Sequence, residues 1–316
     1  MKRNFNYITA ISALLATVFL FPSCRYETSN ATGWNYNDAR NGGFEKIPYY
    51  EQETGPGLVL IEGGTFTMGA TEEMVMEEWD NIPRRVTVSS FYMDETEVSN
   101  SYWLEYLYWL KRVYGEDYPE IYDKALPDTL VWRSKLAYNE PYVDYYLRHP
   151  AYSDYPVVGI NWLQANDFCA WRSDRVNEAI LIREGLFEHF PQQYNEDHFS
   201  TDAYLAGQYE SGKRVDGLPD LDPDKDFRNV RMEDGILLPR YRLPTEAEWE
   251  FAAYGLVGNT FQELVTQRRV YPWDGHYVRE GNSNSRFYGE FVANFVRGRG
   301  DYMGVAGSLN DNADVT

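Results

Sequence analysis

Hydrophobic and polar positions change period several times along this chain, and each change marks an element. In PGLVLIEGGTFTMG, an apolar run at Leu58 to Ile61, a Gly63-Gly64 turn and an extended run at Thr65 to Met68 predict a hairpin. In RRVTVSSFYMD, Val86 and Val88 alternate with polar residues and predict another strand. The period then becomes helical. Trp103, Tyr106, Leu107, Leu110 and Tyr114 form one stripe, with Asn100 as the expected cap and Gly115 as the stop. Tyr118 to Tyr155 is rich in proline and tyrosine and reads as irregular. PVVGINWLQANDFCAW follows as an apolar strand and a helix capped by Asn161, with Gln164 three residues on. Trp162, Ala165, Phe168, Cys169 and Arg172 share its stripe.

A further helix begins in YRLPTEAEWEFAA. Thr245 and Glu248 have the spacing of a capping box, and Pro244 and Trp249 that of a hydrophobic staple. The glutamates here invite a catalytic reading. A helix N-terminus, however, favours the ionised carboxylate, whereas an acid–base pair needs one carboxyl held neutral. Structure is therefore the better use of these acids.

Two stretches carry no period. Arg25 to Gly57 is rich in Asn, Gly, Thr, Tyr and Pro and reads as a partly ordered tether, residues 24–56 in all. Residues 174–238, with the run DGLPDLDPDKD, read as an acidic insertion, an excursion outside the core. At the N-terminus, Lys2 and Arg3 precede an apolar run from Ile8 to Phe21, short of the ~20 residues that span a bilayer. It ends in FLFPSC, so residues 1–23 read as a lipoprotein signal peptide and Cys24 as the acylated residue. The alternative is an ordinary secretory signal followed by an incidental cysteine.

Charge and residue counts narrow the function. The net charge of −20, or −22 once Lys2 and Arg3 are cleaved off, disfavours nucleic acid and suits hard cations. Of the two cysteines, Cys24 would carry lipid, and Cys169 lies on an apolar helix face as an inert thiol. His149, His189, His198 and His276 show no metal-binding spacing. Gly281-Asn282 and Gly298-Arg299-Gly300 read as turns, and the Arg299-Gly300-Asp301 tripeptide carries little weight. Near the C-terminus, GSLNDNADVT gathers Asp311, Asn312 and Asp314, with Asn294 and the Phe295 carbonyl upstream. Such oxygens suit calcium; a solvated Asx-type turn is the alternative.

Several of these stretches resemble the formylglycine-generating-enzyme, or sulfatase-modifying-factor, family: GGTFTMG, VTVSSFYMDETEVSN, PVVGINWLQANDFCAW, RLPTEAEWEFAA and YPWDG, where Asp274 replaces a more usual glycine. The resemblance implies an irregular, loop-rich α+β fold related to C-type lectins over residues 57–316. It also implies a calcium site on Asn294, Phe295 and an acid of the Asp311 to Asp314 loop. The family's reactive cysteine pair and final GNVWEW-like block have no counterpart here, so an incomplete domain is expected, its C-terminal part missing. The histidine cluster of the nonheme-iron branch is also lacking.

TGWNYNDARNGGFE, LEYLYWLKRVYG, PDTLVWR, YLRHPAYSDYPVVGINW and WRSDRVNE further resemble gliding-motility lipoproteins of the Bacteroidota. That resemblance implies a non-catalytic protein lipid-anchored to the outer membrane, on its periplasmic or surface face. Its implied partners are other gliding and type IX secretion proteins, among them a GldK-type lipoprotein and associated ring components. Two alternatives stay open: an oxidase of the formylglycine-generating type with its catalytic cysteines beyond Thr316, and, by fold analogy alone, a sugar-binding module.

Overall fold

The computed structural model describes residues 26–41, 44–49, 51–69, 81–133, 138–209, 217–222, 224–254, 271–273 and 277–293. Cys24, and the segment with Asn294, Phe295, Asp311, Asn312 and Asp314, lie outside the described residues. Helices and small antiparallel strand pairs are mixed, consistent with an α+β class.

The early strands are β1 (Leu58–Ile61), β2 (Gly64–Met68), β3 (Arg84–Val88) and β4 (Phe91–Asp94). The hairpin expected between the first two does not form. β1 pairs with β4, and β2 with β3. Leu58 faces Asp94 and Met68 faces Arg84 with the same pairing offset, so the two strand pairs follow one another as an interrupted twin-stranded ribbon. Gly63 sits at its interruption. A Cβ there would lie 2.5 Å from both Ser90 N and Val88 O, so the two backbones leave no room for a side chain. Phe66, Met68 and Val88 bury one face of the ribbon against Phe251 of α6 (Glu246–Tyr254).

The second cluster gathers around α1 (Asn100–Tyr114). Its predicted stripe packs onto α2 (Pro119–Ala125) and onto Phe168 of α4 (Trp162–Arg183). Trp103 stacks on Phe168 at 5.3 Å, and Tyr106 meets both rings edge-on. The cap of α1 is Ser99, whose Oγ accepts the Tyr102 N–H at 3.4 Å. Asn100 turns inward instead, and its amide donates to Tyr152 O (2.9 Å) and Tyr146 O (3.3 Å). Those carbonyls have no strand partner, and a buried amide satisfies them.

The tyrosine-rich stretch is more regular than expected. Beyond α2 it forms 3-10 turns at Thr129–Trp132 and Pro150–Tyr152 and a helix α3 (Glu140–Tyr145). Trp132 packs on Tyr146 at 4.7 Å, and the Tyr146 hydroxyl donates to Pro156 O at 2.6 Å. Burial pushes that phenol up to about 12.

Both predicted capping boxes are present. In α4, Asn161 Oδ1 accepts the Gln164 N–H and Gln164 Oε1 accepts the Asn161 N–H. In α6, Thr245 Oγ1 accepts the Glu248 N–H at 3.3 Å, and Glu248 Oε2 accepts the Thr245 N–H at 2.8 Å. Arg242 adds a bidentate pair to Glu248, at 2.6 and 2.8 Å. The expected staple differs. Trp249 is 63% exposed, because Phe251, roughly 200° further round the helix, is the residue turned to the ribbon. Trp162 likewise leaves the stripe predicted for α4 and is 68% exposed.

The acidic insertion has an apolar interior of its own. Leu181, Phe187, Phe199, Tyr204, Val230 and Leu237 form a third buried cluster, enclosed by α5 (Thr201–Leu205) and the short pair β5 (Leu218–Pro219) and β6 (Phe227–Arg228). Acids and prolines along the sequence hide these anchors, which come from turns without periodicity.

The capping geometry predicts a specific stability change. Thr245→Ala should cost about 1 kcal/mol in urea denaturation. The Arg242 pair, against opposing burial, holds the Glu248 carboxyl down at about 2 from its ordinary 4.5. Its stabilisation is therefore full above pH 4.5 and is lost as pH falls through 2. The stability gap between wild type and Glu248→Gln should close over that window.

Candidate functional site

The richest arrangement of polar chemistry lies along the second half of α4, in WRSDRVNEAILIR. Nearly every polar side chain there holds a different part of the chain. Arg172 forms a bidentate pair with Asp94 at the end of β4, both contacts at 2.7 Å, and donates to Pro56 O at 2.8 Å. Its guanidinium lies 4.3 Å from the centre of the Tyr241 ring. Ser173 Oγ accepts the Tyr241 N–H, and Asp174 Oδ1 accepts the Thr201 N–H. Asn177, 1% exposed, bonds Leu238 in both directions: its Oδ1 accepts the Leu238 N–H at 2.9 Å and its amide donates to Leu238 O at 3.1 Å.

Arg175 and Glu178 form a buried ion pair, at 2.6 Å. Arg175 also donates to Gln193 Oε1 (2.9 Å) and to Phe199 O, and its guanidinium covers the Trp109 ring at 4.8 Å. Gln193 donates to the other Glu178 oxygen. Burial pulls Arg175 below its ordinary range and pushes the Glu178 carboxyl up. Each partner keeps its charge through the other, and the pair ties the first helical cluster, through Trp109, to the insertion core, through Phe199.

A second network secures the segment that leads into β1. Arg228 and Asp234 are buried, with side chains 7% and 4% exposed, and pair bidentately at 2.7 Å. Glu45 reaches the same guanidinium at 2.5 Å and Arg231 at 3.4 Å. The Asp234 bond raises the Arg228 pKa. Asp234 lies below its ordinary value, because Arg228 and the Arg231 N–H outweigh the opposing burial. Further along, Gln52 donates to Leu237 O at 2.7 Å, and Arg183 pairs with Glu53. Residues 44–49 and 51–57 are thus a strap laid across the insertion.

Between strap, β4, α1 and α4 lies a cleft of about 400 Å³. Glu97, Glu105 and Glu53 contribute anionic groups, Arg175 and Arg183 cationic ones, and Phe168, Trp171 and Ile180 an apolar wall. The described lining contains carboxylates, guanidinium groups and aromatic rings, and no Cys, His, Ser or Lys.

Other candidate residues hold local structure. Cys169 is half-buried, and burial pushes its thiol up, away from the reactive thiolate. His149 caps the Pro150–Tyr152 turn, and His198 bonds Asn195 O and Tyr114 Oη. Asn282 Oδ1 accepts the Asn284 N–H in a turn. Among the described residues, no cluster of three His, Cys, Asp or Glu is placed to hold a metal. Sequence reasoning missed Arg175, Asn177, Glu178 and the Glu45–Arg228–Asp234 set. The available signal was a run of charged residues on α4 interleaved with buried Ile180 and Leu181.

Comparison with known proteins places this geometry in context. The sulfatase-modifying factor enzyme 1-like domain family matches residues 43–313, from the start of the strap onward. The chain is 28% identical over 122 residues to the serine/threonine-protein kinase pkn1 of Chlamydia pneumoniae, covering 38% of this chain and 17% of that protein. It is 26% identical over 137 residues to the formylglycine-generating enzyme of Mus musculus, covering 38% of this chain and 36% of that enzyme. The chain thus spans a minority of the length of each.

The strap network yields a graded prediction. Arg228→Ala leaves the Asp234 carboxylate buried without its partner and should destabilise by ~3–5 kcal/mol. Glu45→Gln removes one arm and should cost roughly 1 kcal/mol. Chemical denaturation measures both, and limited proteolysis should show faster cleavage within 44–57 in each variant.

Proposed function

The chain belongs to the sulfatase-modifying factor enzyme 1-like domain family, and on that premise we propose that it is a non-catalytic, outer-membrane-anchored lipoprotein. It serves the gliding-motility and type IX secretion apparatus as a structural and protein-interaction component. The observation that carries this is the strap. The strap, which begins some 20 residues downstream of Cys24, is clamped to the insertion through Glu45, Gln52 and Glu53. A lipid on Cys24 would therefore fix the insertion relative to the membrane and present it to partners.

The finer assignment is to a GldJ-type lipoprotein, with a GldK-type lipoprotein and ring components as partners. It rests on the resemblance of TGWNYNDARNGGFE, which leads into the strap, and of WRSDRVNE, which contributes the hub residues of α4. The kinship of the fold to C-type lectins, and calcium held by Asn294, Phe295, Asp311, Asn312 and Asp314, belong to the same proposal. No helix among the described residues is long and apolar enough to cross a membrane. Lipid attachment is the form of membrane contact proposed.

The identity to the mouse formylglycine-generating enzyme favours a second reading, an oxidase of that type. It requires a reactive cysteine pair other than Cys24 and Cys169, the two in this chain.

Three measurements separate these readings. Radioactive palmitate should label wild type and leave Cys24→Ala unlabelled; label retained in the variant rejects attachment at that residue. Asp224→Lys with Asp226→Lys alters exposed acids of the insertion away from its core. It should abolish co-purification of secretion partners with the thermal midpoint unchanged, and intact capture would move the partner surface elsewhere. Excision of the whole insertion is a poor test, since residues 174–183 are part of α4. Finally, purified full chain incubated with copper and a cysteine peptide should leave the thiol intact; aldehyde formation would establish the oxidase.

A further inference from the structure

The segment ahead of the strap is a small folded module. Thr28 and Asn35 form an antiparallel bridge, flanked by Ser29 N–H to Trp34 O at 2.7 Å and Tyr36 N–H to Glu27 O at 2.8 Å. Residues directly opposite in an antiparallel pair project to one side, and residues two apart share that side. Glu27, Ser29, Trp34 and Tyr36 therefore lie on one face. The contacts agree: Lys46 pairs with Glu27 and stands 5.1 Å over the Tyr36 ring, and Phe44 packs on Tyr36 at 5.5 Å. The Asn37 N–H closes the arrangement on Phe44 O at 3.0 Å.

This face presents large apolar groups outward. Trp34 is 60% exposed and Phe44 67%. Lys46 and Glu27 pair on the same face, their side chains 45% and 65% exposed, and offset each other's charge. A module so small has little core of its own to gain from these rings. Cys24 stands two residues before Tyr26, a reach of at most ~7 Å for any backbone.

We propose that this face, carrying Trp34 and Phe44, is a membrane-interface platform that seats in the lipid headgroup layer next to the acylated Cys24. The proposal rests on the lipoprotein reading. Trp favours the bilayer interface because one part of its ring system is apolar and another is polar. A short link from lipid to module leaves the module at the surface, where its exposed rings meet headgroups before any other phase. The strap then transmits that orientation to the insertion, so the protein is held in one pose and not merely retained.

The test uses the mature acylated chain in phosphatidylethanolamine–phosphatidylcholine vesicles with brominated acyl chains, which quench nearby tryptophan. Wild-type fluorescence should be quenched, and Trp34→Phe should reduce the quenched component by roughly twofold or more, because interfacial tryptophan lies within reach of the bromines. Phe44→Ser, with an unchanged melting curve, should also lower quenching by lifting Trp34 outward. Palmitate labelling of the same preparations reports the anchor independently: absent label overturns the lipoprotein reading. Normal label with quenching insensitive to Trp34→Phe overturns the platform. If Trp34→Phe and Phe44→Ser instead abolish capture of a protein partner while quenching stays at background, the face is a protein-binding surface and the proposal falls.

Discussion

The Arg175–Glu178 ion pair is the interaction on which the remainder depends. A guanidinium and a carboxylate removed from water persist only when their hydrogen-bonding capacity is met nearby. Here the acceptors and donors come from three places, the α4 helix itself, Gln193 and the Phe199 carbonyl, and meet all but the Arg175 Nε–H. Trp109 of α1 covers the outer face of the guanidinium. Burying that pair therefore requires the insertion to fold back on α4 while α1 lies against its other side. A hydrophobic contact could tolerate a shift of an ångström; this network cannot without stranding a charge.

The same logic is repeated at the edges. Asn177 fixes the backbone of Leu238, so the chain leaving the insertion returns to the helix it departed from. Arg172 fixes the end of β4 and Pro56. Arg228 and Asp234 fix Glu45. Apolar burial supplies the general driving force in each of the three clusters, and the buried polar groups select which segments meet. The outcome is a domain whose irregular stretches are positioned by side-chain networks in place of sheet ladders. It joins the strap to the insertion through side-chain networks.

Much of the regular structure was legible from local pattern. The α1 stripe and the two capping boxes follow from spacing alone, because a helix has a fixed period and its ends have fixed unsatisfied groups. The inert character of Cys169 followed from the apolar face it occupies. Less legible were Ser99 and Asn100, where two adjacent residues could each cap. The choice between them was made by the distant Tyr146 and Tyr152 carbonyls. The Gly63-Gly64 pair likewise suggested a turn, but its glycine serves a close approach to Ser90, a residue 27 positions away.

What the sequence determined by itself is the set of local elements: the helices with a regular stripe, their caps, the strand segments and the excess of acid. These depend on neighbours within a few residues, so pattern suffices. Tertiary structure alone decided that β1 and β2 extend one ribbon, that an acidic, proline-broken stretch encloses an apolar core, and that Glu45 belongs with Arg228 and Asp234. Those outcomes turn on partners up to 183 residues apart. Coulombic and packing complementarity between distant segments leaves no periodic trace in the chain, since each buried charge is specified by the one residue that meets it.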